Sequence, residues 1–221
     1  MQPIKVKLKA RTVPVNQEDG RTLEELIAHV ARVSNPTNQN NHLTAPKLIA
    51  YLQKHNHWSP FEMANILLEI KCPRDIGRQF LRHRSFSFQE FSQRYAATET
   101  TSDFREARMQ DHKNRQNSIM TDDEDLKKWW DEAQQEVVDL AFTKYDTATK
   151  KGIALEQARA ILPEGLTDTT IYVNGNVRSY MHYLAIRTGV ETQKEHRDIA
   201  LQMAKAIEPE FPSITKFITL A

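Results

Sequence analysis

The sequence predicts an α+β fold: a modest mixed or antiparallel sheet flanked by helices, in a single domain over residues 1–221. Three observations predict it. Ile4, Val6, Leu8 and Ala10 alternate with Lys5, Lys7, Lys9 and Arg11, the period of a half-buried strand with its lysines facing out. Further strand-like runs at 61–72 and 167–173, with the stretch around 86–97 as another candidate, are separated by helical patterns that outnumber them. Strict strand–helix–strand alternation is missing, which argues against a doubly wound parallel sheet.

Taken in order, Thr22 and Glu25 form a capping-box pattern that opens a helix. Leu23, Leu26, Ile27, Val30 and Val33 supply its apolar face, and Pro36 ends it. After a polar loop at 35–44, Thr44 is placed to cap a helix carrying Leu48, Ile49 and Leu52. The run NILLEIKC reads as a buried strand. Pro73 then opens a helix on which Arg74, Arg78 and Arg82 share one face, with Ile76 and Phe80 turned inward. Residues 108–124 are polar and aperiodic, so they read as a surface excursion. A long helix runs from Leu126 to about Lys150, with Trp129 and Trp130 covering the core or an interface; Gly152 interrupts it. A short helix stops at Pro163. The last two helices span 174–187, with Val177, Tyr180, Met181, Leu184 and Ala185 inward, and 192–207.

Composition narrows the function. With 39% hydrophobic and 27% charged residues, the chain reads as an ordinary soluble globular protein. Thirty basic residues against 29 acidic leave a net charge of +1, so no global field attracts nucleic acid. No apolar run approaches membrane-spanning length, and MQPIKVKLKA lacks a signal core. The single cysteine, Cys72, suits a small core residue in a reducing cytoplasm, that of a host cell if the protein is viral.

The chain is organised around RHRSFSFQEFSQRY, residues 82–95. Arg82, His83, Arg84 and Arg94 are interleaved with serines, Gln89, Glu90 and three phenylalanines. This mixture suits a wall that is apolar behind and polar in front, as a small-molecule site needs. The arginine ladder that leads into it asks for anions. Carboxylates of the fold and phosphates of a ligand both answer the charge. Other chemistries lack their patterns. There is no G-x-G-x-x-G and no Walker A sequence. His55 and His57 have no Cys cluster or H-E-x-x-H beside them, so no metal site is expected. No serine lies in a G-x-S-x-G setting.

Arg82-His83-Arg84, Ser87, Ser92 and Arg94 fill RHR-x2-S-x4-S-x-R, which resembles the signature of the flavin-dependent thymidylate synthases. Further segments resemble that family in the same order. They are Ala31-Arg32-Val33-Ser34, His57-Trp58-Ser59-Pro60-Phe61-Glu62, Glu156/Arg159/Leu162-Pro163, Asn176/Arg178/Arg187 and Gln193/Glu195/Arg197. The resemblance covers nearly the whole chain, with 108–150 least constrained.

It implies a homotetramer with FAD-containing active sites shared between subunits. dUMP would become dTMP, with methylenetetrahydrofolate as carbon donor, NADPH as reductant and no enzyme nucleophile; Cys72 would be structural. Ser92, Arg94 and Arg159 would hold the dUMP phosphate, and Gln79, Glu90 and Gln93 the rest of the nucleotide. Gln79 and Arg82 would reach the nucleotide of a neighbouring subunit. Arg187 would face the uracil carbonyl edge. Arg82, His83 and Arg84 would cradle FAD, with Ser34, His57, Ser59, Glu62, Gln89, Glu90, Asn176, Arg178 and His182 as further flavin residues. By the same resemblance Arg187, Ser92 and His57 would form the catalytic set. Gln89 stands where many members have Asn, Ser59 where many have Thr, and His182 where some have Asn; all three keep hydrogen-bonding capacity.

Blander readings stand beside these. His57 and His182 also fit structural histidines, and Arg187 also fits an ion pair with Glu195. A nucleotide- or RNA-binding module that uses residues 82–95 without flavin is the alternative function. The near-neutral charge weighs against it.

Overall fold

The computed structural model describes residues 5–98 and 101–219. A four-stranded sheet has the order β1-β2-β6-β3, formed by β1 (Val6–Arg11), β2 (Asn65–Pro73), β3 (Ser87–Glu90) and β6 (Asp168–Asn176). A separate hairpin pairs β4 (Arg108–Gln110) with β5 (Ser118–Met120) in antiparallel register. The helices are α1 (Leu23–Ala31), α2 (Ala45–Lys54), α3 (Arg74–Phe80), α4 (Glu124–Lys150), α5 (Leu155–Ala158), α6 (Val177–Arg187) and α7 (Lys194–Ile207). The α+β expectation holds. Two compact units divide the chain: Met1–Ile70, His83–Phe88 and Tyr172–Ala221 make the first, Lys71–Arg82 and Gln89–Ile171 the second.

In the first unit β1 runs antiparallel to β2, with Val6 opposite Ile70 and Leu8 opposite Leu68. A bulge between Leu8 and Ala10 shifts the register, so the expected alternation fails at Ala10, which is exposed. Ile4 lies outside the described residues. The α1 capping box forms as expected: Glu25 N donates to Thr22 Oγ1 at 3.2 Å and Thr22 N to Glu25 Oε2 at 3.3 Å. Such a cap stabilises a helix by about 1 kcal/mol. α1 ends earlier than Pro36 predicts, at Ala31, which leaves Val33 outside it and exposed. Thr44 makes no side-chain cap for α2; its hydroxyl instead accepts from Arg32 Nη2 at 2.8 Å. Ile27, Ile49, Phe61, Leu68, Leu184 and Phe211 are fully buried and form the core. The Tyr180 hydroxyl lies 2.8 Å from Val173 O and 3.2 Å from Ile66 O. Burial pushes its pKa up, so it stays protonated and donates. On α6 Val177, Tyr180, Met181 and Leu184 are buried as expected, and so is Tyr183, one turn before Arg187; Ala185 is exposed, against expectation.

In the second unit α4 opens on Asp123, whose Oδ1 accepts from Leu126 N at 3.0 Å. Tyr145 packs with Ala158 and Leu162 in a local core. Trp129 is exposed rather than covering a core, as are Val137 and Leu140. The stretch read as aperiodic is the β4–β5 hairpin, too short for a period to show. Its turn is held by Asp111, whose Oδ1 accepts from Lys113 N and Asn114 N. α3 stops at Phe80, so Arg82 lies beyond the helix and does not share a helical face with Arg74 and Arg78.

Candidate active site

α3 starts after Pro73, and Arg74 N donates to Thr167 O at 2.9 Å. The Arg74 guanidinium is buried and lies 3.3 Å from Glu90 Oε1. One turn on, Arg78 grips the same carboxylate with both terminal nitrogens, at 3.1 and 3.2 Å. Thr169 Oγ1 adds a third donor to Glu90 Oε1, at 3.0 Å. Glu164 flanks both arginines, 3.9 Å from Arg74 and 3.5 Å from Arg78. The first two rungs of the ladder therefore answer to carboxylates. Burial pulls the Arg74 pKa down; Glu90 and Glu164 resist, while Arg78 and Arg159 add to the fall. Glu90, expected at the sugar and the flavin, has both oxygens engaged by arginines and Thr169, because donors converge on it from α3 and β6.

Other cations of this unit remain accessible. Arg94 is exposed, 3.6 Å from the exposed Glu156, with its guanidinium 5.8 Å from the Tyr95 ring centroid. Its backbone N donates to Ser92 Oγ at 3.4 Å, which folds Ser92 and Arg94 into one turn. Gln93 between them is buried, and its Nε2 has no hydrogen-bond partner among the described residues. Arg159 follows α5, half-buried, near enough to Arg74 to affect its titration. Gln79 is half-buried on α3, while Arg82 and Gln89 are exposed. Arg94, only loosely paired with Glu156, is the kind of cation that a phosphate can engage.

In the first unit a cavity of about 750 Å³ is lined by Trp58, Glu62, Asn176, Arg178, His182 and Phe217, among others. Aromatic and cationic groups together suit a ligand with an aromatic body and anionic groups, and FAD fits that description. Arg178 forms an ion pair with Glu62. Asn176 caps α6, its Oδ1 accepting from Ser179 N at 2.8 Å. Gly175 is required beside it, since a Cβ there would overlap the Phe86 ring. His182 is exposed on α6, as is His57 after α2, so neither is the buried histidine of the bland reading. Ser59 and Arg84 are also exposed. Ser34 lines a separate cleft of about 450 Å³ with Arg32, Asn35, Thr44 and Lys47.

The same unit brings His83 to Arg187. Arg187 Nε donates to His83 Nε2 at 3.0 Å, so Arg187 pairs with the motif histidine and not with Glu195 among the described residues. The His83 pKa is lowered to about 4, first by burial and then by the charge of Arg187 and of His182. Sequence reasoning missed what stands behind this pair. The Tyr183 ring lies edge-on to His83 at 4.9 Å, and its hydroxyl is 2.7 Å from Nε2 of the fully buried His196. The one signal available was the four-residue spacing that puts Tyr183 and Arg187 on one face of α6. No group of His, Cys, Asp and Glu able to hold a metal ion occurs among the described residues. Nor is any helix there long and apolar enough to cross a membrane.

A family model described as thymidylate synthase complementing protein matches residues 19–213. A probable flavin-dependent thymidylate synthase of Paramecium bursaria Chlorella virus 1 is 50% identical over 210 residues, 95% of this chain and 96% of that protein. A flavin-dependent thymidylate synthase of Synechocystis sp. is 47% identical over 211 residues, again 95% and 96%. Among solved structures, a UMP/dUMP methylase from Streptomyces cacaoi bound with 5-Br dUMP aligns with a TM-score of 0.81 at 26% identity. The alignment covers 98% of this chain and 95% of that one.

Proposed function

Because the chain belongs to the thymidylate synthase complementing protein family, we propose that it is a flavin-dependent thymidylate synthase that methylates dUMP to dTMP. The single observation that carries this reading is the Arg187–His83 contact, which joins the end of α6 to the Arg82-His83-Arg84 motif. Methylenetetrahydrofolate donates the carbon and NADPH the reducing equivalents. Bound FAD supplies the hydride chemistry.

The chain's own residues bind, orient and polarise. Ser92, Arg94 and Arg159 hold the dUMP phosphate by charge-assisted hydrogen bonds, supported by the exposure of Arg94. Glu90 works through Arg74 and Arg78, which it fixes, and Gln79 and Gln93 face the nucleotide. Arg187 places a fixed cation at the uracil carbonyl edge, where charge builds in the transition state. Glu62, Asn176, Arg178 and His182 hold the flavin in the first-unit cavity; Ser34, His57, Ser59, Arg84 and Gln89 are further flavin candidates by the family motifs. The functional assembly is a homotetramer of single-domain subunits in the cytoplasm, in which Gln79 and Arg82 reach the nucleotide of a neighbouring subunit.

The test is turnover of purified protein supplied with FAD, dUMP, methylenetetrahydrofolate and NADPH. Formation of dTMP with tetrahydrofolate, rather than dihydrofolate, supports the reading. dUMP binding without product formation refutes it.

A further inference from the structure

The Arg187–His83 contact has one allowed direction. A guanidinium Nε carries a hydrogen and cannot accept, so His83 Nε2 is the acceptor. A neutral imidazole accepts through one ring nitrogen and donates through the other. His83 is thus neutral with its hydrogen on Nδ1, a tautomer fixed by its partner. Arg187 then presents its two terminal nitrogens, which donate no hydrogen bond to any described residue, while its Nε is anchored.

What holds His83 is equally specific. Its ring meets Tyr183 edge-on at 4.9 Å and 73°, and Phe86 at 6.5 Å and 64°. Tyr183 is 1% exposed and His196 is 0% exposed, so the 2.7 Å bond between them is fully desolvated. A hydrogen bond shielded from water is electrostatically strong, which makes the ring position of Tyr183 stiff. Tyr183 and Arg187 lie one turn apart on α6, and His196 comes from α7. The groups facing His83 are Arg187, His182 and Tyr183 from α6, with His196 of α7 behind them. None of these is anionic, and both charged neighbours that shift His83 disfavour an imidazolium.

We propose that Tyr183 and His196 are positioning residues for the methylation step: their buried hydrogen bond fixes the wall on which neutral His83 stands, and His83 in turn aims Arg187. This rests on the thymidylate synthase reading. It extends that reading to two buried residues outside the set expected to hold nucleotide and flavin.

Two measurements test it. In wild-type holoprotein carrying ¹⁵N-labelled histidine, His83 should show a non-protonated Nε2 and a protonated Nδ1 at pH 7. An Nε2–H tautomer or an imidazolium there overturns the proposal, whatever any variant does. In Tyr183→Phe holoprotein, bound flavin per subunit and its reduction by NADPH should match wild type. The dUMP- and folate-dependent reoxidation rate should fall about tenfold, and Arg187→Lys combined with Tyr183→Phe should lose little beyond Arg187→Lys alone. An unchanged reoxidation rate, or additive losses in the double variant, overturns the proposal. If wild type forms no dTMP, the synthase reading itself fails, and the tautomer measurement still decides the His83 geometry.

Discussion

Arg187 donates its Nε–H to His83 Nε2 across 3.0 Å, so the last residue of α6 is held by the middle residue of the Arg82-His83-Arg84 motif. A cation fixed in this way pays no reorganisation when charge develops on a substrate, which is how a preorganised donor accelerates a reaction. Arg187→Ala is expected to slow dUMP-dependent flavin reoxidation by about a hundredfold or more, with most of the bound FAD retained. Stopped-flow absorbance together with flavin content checks this. Loss of FAD with unchanged turnover per remaining flavin would remove Arg187 from the uracil edge.

Arg94 and Arg74 contrast. Among the described residues Arg94 forms an ion pair with the exposed Glu156 alone, at 3.6 Å, so Arg94→Ala should leave stability nearly unchanged. It should instead raise the dUMP dissociation constant about 10- to 100-fold, the worth of a charge-assisted hydrogen bond. Isothermal titration with dUMP reads both the affinity and its salt dependence. Unchanged affinity would rule out a phosphate contact.

Glu90 carries the opposite expectation. Its carboxylate takes both arms of Arg78, the Thr169 hydroxyl and the buried Arg74. Glu90→Ala strands a buried guanidinium and should cost about 3 kcal/mol of stability. Thr169→Val should cost about 1 kcal/mol. Denaturant midpoints decide, and a Glu90→Ala midpoint equal to wild type would contradict the network.

Acid stability should follow His196. Its pKa is lowered to about 3, first by burial and then by the charge of Arg187 and of His83, against an ordinary 6.5. Between those values the unfolded chain binds a proton that the folded chain refuses. Stability therefore falls as pH drops through that window, by up to about 1.4 kcal/mol per pH unit from this histidine. His83, lowered to about 4, adds a smaller loss in the upper part of the window because it is partly exposed. His196→Gln should flatten the dependence. An equally steep profile in that variant would mean the loss arises elsewhere.

Periodic elements were legible because one short window contains their signal. The Thr22–Glu25 box and the α2 stripe needed only spacing. The ends of elements were less legible: α1 stops at Ala31 although Pro36 is the visible breaker, and α3 ends before Arg82 can join its ladder. The site's residue types could be read from the motifs, but their partners could not. Arg78 and Glu90 are 12 positions apart, and Arg187 and His83 are 104 apart. No local pattern says which carboxylate saturates an arginine. Tyr183 and His196 are distinguished only by their 2.7 Å contact behind His83, made across 13 positions of the chain.

The most direct test of the account is an anaerobic absorbance record of the FAD-loaded protein during successive additions. NADPH should bleach the flavin bands, and the bands should return only when dUMP and methylenetetrahydrofolate are both present, with dTMP formed in equal amount. Bands that return without dUMP, or that never bleach, would contradict thymidylate synthesis by this chain.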